Sequence, residues 1–160
     1  MTNEPSSPVC YGAGADDSYM GYASRDEILA ALNELLEAER AGARVALASR
    51  KSMQDVRFSE LMRIVRADEA RWCAMLSRQI RRLGALPSRR TGAFYGRAMD
   101  IDDPRERTIF LNRGQSWVVR KLDALMPRVR DEVLHANLRK MAEKHRTNID
   151  LAEAVIQEAG

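Results

Sequence analysis

The sequence is short of cysteine, of aromatic residues and of long apolar runs, and each shortage excludes something. The two cysteines, Cys10 and Cys73, stand far apart in unlike surroundings, so they form neither a metal-type pair nor a disulfide framework. Aromatic residues are only 6% of the chain, and no apolar run is long enough to cross a membrane. The opening segment, MTNEPSSPVCYGAGADDSYMGY, lacks a basic start and an apolar centre, so it does not read as a secretory leader. A cytoplasmic location is the default expectation, with no membrane partner. Glycine-rich phosphate loops, nucleophile elbows and Ser-His-Asp orders are also missing. Nucleotide-dependent and acyl-transfer chemistry find no support, and the chain leans away from being an enzyme. Charge of one sign is lacking too: 26 Lys and Arg against 23 Asp and Glu leave a net charge of +3. The densest basic stretch, Arg78, Arg81, Arg82, Arg89, Arg90 and Arg97, has Phe94 and Tyr95 close by. It reads first as a solvated helix end and loop, and nucleic acid is not the expected partner.

What the sequence does have is Ala, Leu, Arg and Glu, in the proportions that favour helix over strand. Residues 1–23 are rich in Gly, Pro, Ser and Asp and read as a flexible tail. Order begins at Ser24, which forms a Ser-x-x-Glu capping box with Glu27. The spacing of apolar residues then predicts helices over about 25–50, 56–83, 104–126 and 131–158 within a single domain, 24–160. In the first, the inward stripe reads Ile28, Leu32, Leu35, Leu36, Glu39, Ala43 and Ala46, with Leu47 alongside. Gly84 is a helix stop, and Asp103-Pro104 a helix start. The segment 85–103 between them is too long for a turn. It suits a crossover along the bundle, with a short helix of its own anchored by its aromatics.

Each stripe is broken near its middle by a polar residue: Glu39, Glu69, Gln115, and His145 with Asn148 one turn later. With turns centred near residues 53 and 130, Glu39, Glu69, Gln115 and His145 lie fourteen to sixteen residues from their turns. At about 1.5 Å rise per residue they fall in one layer. Two buried carboxylates on neighbouring helices are costly unless a metal neutralises them, one is protonated, or His145 is protonated and bridges them. Trp72 and Trp117 fall near the layer and read as core filling beside the Glu residues. Glu132-x-x-His135, at a helix start, reads as surface.

Here the chain resembles the ferritin-like di-iron proteins, which place one Glu on each of two helices and a Glu-x-x-His on each of the other two. Glu39, in LLEAER, matches the first Glu. Glu69, in DEARWCAML, matches the Glu of the first Glu-x-x-His, with Trp72 in the His place. Gln115, in NRGQSWVV, stands where the second single Glu would be, and His145 and Asn148, in EKHRTNI, where the second Glu-x-x-His would be. The segments DEARWCAML and LNRGQSWVVRKL are also similar to a bacterial branch of the superfamily with no assigned activity. The resemblance spans about residues 24–158 and implies an all-α, ferritin-like four-helix bundle with one long crossover. Because Trp72 cannot bind a metal and Gln115 and Asn148 are weak neutral ligands, it does not imply di-iron oxidation chemistry.

Three functional readings follow. The first is a ferritin-like bundle with a remodelled polar layer, acting without catalysis as a binding or stress-associated protein and pairing as a homodimer. The second is a mononuclear metalloprotein holding one Fe, Mn or Zn ion at Glu39, Glu69 and His145, completed by Gln115 or water. The third is an Arg-rich module for an anionic partner.

Overall fold

A computed structural model describes residues 19–159. Cys10 and most of the expected tail lie outside the described residues. Among those described, the chain is all helical: α1 Arg25–Ser52, α2 Val56–Arg82, α3 Phe94–Met99, α4 Pro104–Leu125, a 3-10 turn Met126–Arg128, and α5 Glu132–Glu158. No helix is long and apolar enough to cross a membrane.

Short polar side chains set where the long helices begin. Ser24 Oγ accepts the Glu27 N–H while Glu27 Oε2 accepts the Ser24 N–H, a complete capping box. Asp55, Asp103 and Asp131 cap α2, α4 and α5 in turn. Gly84 ends α2 in the left-handed region at φ 82°, and Ala85 N–H closes back on Ile80 O. Pro127 confines the α4–α5 connection to a single 3-10 turn.

The helix ends fix the directions. Ala23 N–H donates to Arg128 O, Arg25 donates to Leu83 O, and Arg82 pairs with Asp131. The start of α1, the end of α2 and the α4–α5 turn therefore share one end of the molecule. At the other end Arg107 donates to Ser49 Oγ, Arg105 to Ile156 O, and Arg57 approaches Glu158. Helices α1 and α5 run one way and α2 and α4 the other. The pairs α1–α2 and α4–α5 pack most extensively, and α1–α4 and α2–α5 complete the bundle.

The α2–α4 connection runs beside α1, which holds it through several side chains. Asn33 Oδ1 accepts the Ser88 N–H, Glu37 accepts the Ser88 hydroxyl, and Arg40 donates to Ser88 O and Arg90 O. Arg44 then reaches Thr91 and lies 4.3 Å from the centre of the Tyr95 ring. The partner on α1 advances by about a turn as the connection advances by a few residues.

The apolar core is divided. One cluster gathers around Leu32, Leu36, Leu76, Leu122, Leu134 and Met141, the other around Val45, Phe58, Leu61, Val65, Leu111 and Val155. On every long helix the gap between the clusters holds the polar residues of the expected layer. One part of the α1 stripe differs from expectation: Ala43 is only half-buried and Leu47 is exposed, while Gly42, Val45 and Ser49 face inward. After Glu39 the inward face advances by three residues, not four, which places Gly42 against the Glu69 side chain.

Candidate functional site

Glu39, Glu69, Gln115, His145 and Asn148 are all between 1% and 4% exposed. Glu39 and His145 form the one direct bond among them, His145 Nε2 to Glu39 Oε1 at 2.9 Å. The other ring nitrogen, Nδ1, lies 3.0 Å from Met141 O, one turn back on α5. A carbonyl only accepts, so Nδ1 carries a hydrogen, and Nε2 and Glu39 share one further proton between them. Burial alone would lower the His145 pKa. The Glu39 charge, its hydrogen bond and the Met141 carbonyl outweigh that and hold it above the usual imidazole value.

Glu69 has no such partner. Burial pushes its carboxyl well above the ordinary range, and the nearby Glu39 and Asp68 charges push the same way. It lies directly over Gly42, where a Cβ would come within 2.4 Å of its Oε2. Asn148 turns aside from the layer and donates to Asp68 Oδ2 at 2.9 Å, which Lys144 also approaches. Glu39 Oε2, Glu69 Oε2 and Gln115 Oε1 are buried without a hydrogen-bond partner.

These three residues form one side of a cavity of about 540 Å³ between α1, α3 and α4. Its walls are apolar: Ala38, Phe94, Phe110, Leu111, Trp117 and Val118, with Arg97 and Arg113 exposed at the rim. Phe94 and Phe110 stack with ring centres 4.9 Å apart. Gly114 makes this possible, since a Cβ there would meet the Phe94 ring at 2.9 Å. Trp117, expected in the core, is 39% exposed and lines the cavity. Trp72 is buried as expected. Cys73 is half-buried; burial first, then the Glu39 charge, pushes its thiol up to about 12, so it supplies no nucleophile.

The arrangement does not fit a resident metal ion. His145 Nε2 is engaged by Glu39, and the buried Trp72 beside the layer cannot bind a metal. Among the described residues no three His, Cys, Asp or Glu side chains converge on a common point. The buried acceptors face a cavity instead.

Residues 26–154 match the model of a family described as a domain of unknown function, DUF6306. The chain belongs to the DUF6306 family. A search of the curated proteins returned no match. In this DUF6306 chain, residues 39, 69, 115, 145 and 148 all fall inside the matched region, as do the cavity walls.

Sequence reasoning located the layer but missed the cavity beside it. The available signals were Gly42 and Gly114, glycines in the middle of long helices. An interior glycine lowers helix stability by roughly 1 kcal/mol and usually marks a close approach. Here each marks one side of the cavity: Gly42 receives the Glu69 carboxyl, and Gly114 receives the Phe94 ring.

Proposed function

We propose that this chain is a ferritin-like bundle whose polar layer has been remodelled from a metal centre into the floor of a pocket, and that it binds a small amphipathic molecule there without catalysing a reaction. The carrying observation is a roomy, largely apolar cavity that ends on three buried polar side chains with unsatisfied atoms. Small-molecule sites combine apolar walls with a few placed polar groups in this way. The antiparallel pairs and the long connection along α1 support the ferritin-like arrangement.

A neutral probe tests the reading. Phenylbutanol should raise the melting temperature and quench tryptophan fluorescence through Trp117. Ala38→Phe, which fills the cavity from α1, should remove both responses while the chain stays folded. Absence of any response in the parent chain would sink the pocket reading. Elemental analysis and melting with Fe(II), Mn(II) and Zn(II) address the metal reading. About one metal per chain, lost on substitution of Glu39 or His145, would establish a metalloprotein in its place.

A further inference from the structure

Resting on the pocket reading above, we infer that the ligand is a primary amine: an ammonium group on an apolar, aryl-sized body, with its nitrogen seated among Glu39, Glu69 and Gln115.

The unsatisfied polar atoms at the floor are Glu39 Oε2, Glu69 Oε2 and Gln115 Oε1. Glu39 Oε2 and Gln115 Oε1 are acceptors as placed, and Glu69, protonated in the ligand-free chain, becomes a third when an ammonium beside it favours the ionised form and the proton passes to solvent. A carboxylate or phosphate ligand would bring more acceptors and a repelling charge. An alcohol brings one donor hydrogen. An ammonium brings three donors and a positive charge on one compact atom, so it can satisfy the three orphaned oxygens together where a carboxylate, phosphate or alcohol cannot. No side chain competes for that place: His145 spends its ring on Glu39 Oε1 and Met141 and does not line the cavity.

The rest of the cavity defines the remainder of the molecule. Phe94, Phe110 and Trp117 present aromatic walls above the floor, which suits an aryl or compact alkyl body. Arg97 and Arg113 at the rim set the charge order as negative inside and positive outside. A second amino group at the outer end would meet those guanidiniums, so a polyamine is the wrong ligand. Gly42 contributes by leaving the backbone bare, which lets the Glu69 carboxyl lie flat at the floor.

Three probes with one body and different heads separate this inference from the pocket reading on which it rests. Phenylbutylamine, phenylbutanol and phenylbutyrate are titrated into the full chain by calorimetry at neutral pH. The amine should bind about tenfold tighter than the alcohol or better, with the butyrate weakest. Spermidine should bind more weakly than phenylbutylamine. Glu69→Gln should narrow the gap between amine and alcohol. If that variant fails to fold, the ranking of the three heads on the parent chain still decides. Binding of alcohol or butyrate as tight as the amine, or tighter binding of spermidine, overturns the amine inference and leaves the pocket standing. Binding of none of the three overturns both.

Discussion

At Glu69, burial and the charges of Glu39 and Asp68 act in the same direction, holding the carboxyl protonated far above its ordinary value of 4.5. A carboxyl whose folded pKa is raised contributes stability that is complete below about pH 4.5 and is lost as pH rises through the folded value. Glu69→Gln removes that loss. The difference in melting temperature between Glu69→Gln and the parent should therefore widen as pH rises from 4.5 to 8. A constant difference across that range would mean the carboxyl is not held protonated. His145, raised above 6.5, likewise gives stability that is full below that pH and lost as pH rises through its folded value. Removing the ring strands Glu39 in the core, so His145→Ala should cost about 3 kcal/mol or more in chemical denaturation. Replacing Glu39 and His145 together by Leu should cost far less. Equal costs for the single and double variants would show that the pair is not coupled. The layer itself could be read in the sequence, because a polar residue interrupting an apolar stripe is visible at Glu39, Glu69, Gln115 and His145. The pairing within it could not. Helical spacing gives a face and a height, and whether Asn148 turns to Glu69 or to Asp68 depends on side-chain torsions that spacing leaves free.

At the scale of elements, the informative positions are the two glycines and the arginine that holds the connection. In Gly42→Ala the new methyl group displaces only the mobile end of the Glu69 side chain, and the cavity gives that end somewhere to go. The gain in helix propensity, about 1 kcal/mol, offsets the disturbance. Stability should stay within about 1 kcal/mol of the parent while phenylbutylamine affinity falls. A large loss of stability would mean the floor is rigid and cannot yield. Gly114→Ala presses on the Phe94 ring in α3, a six-residue helix with no side-chain cap. Amide exchange over 94–99 should quicken, with α1 and α2 unchanged. Arg40 donates to two carbonyls of the connection, Ser88 and Arg90. Arg40→Ala should quicken exchange over 88–91 with little effect on the global melting temperature. Unchanged exchange would assign the tethering to Asn33, Glu37 and Arg44 instead.

For the whole molecule, the helices and their starts were legible because each rests on local chemistry. Ser24, Asp55, Asp103 and Asp131 are short acceptors ahead of apolar periodic runs, and Gly84 and Pro127 are breaks with a backbone reason. The short helix Phe94–Met99 was legible in outline from the length and aromatics of its segment. The cavity was not, because it arises between elements distant in sequence: Ala38 and Gly42 on α1, Phe94 and Arg97 on α3, Phe110 to Val118 on α4. Nor does periodicity distinguish a tryptophan filling a core from one lining a cavity, which is why Trp117 differed from expectation. The division of the core into two apolar clusters with polar groups between them also gives the site a mechanical setting. Close packing above and below holds the floor at a fixed height, while one side, under α3, is left open.

The most direct measurement is a crystal structure of the chain grown with phenylbutylamine. The account predicts the ring among Phe94, Phe110 and Trp117, and the nitrogen within hydrogen-bonding distance of Glu39, Glu69 and Gln115. A cavity closed by repacked side chains, or a metal ion bridging Glu39 and Glu69 with His145 turned to join them, would contradict it.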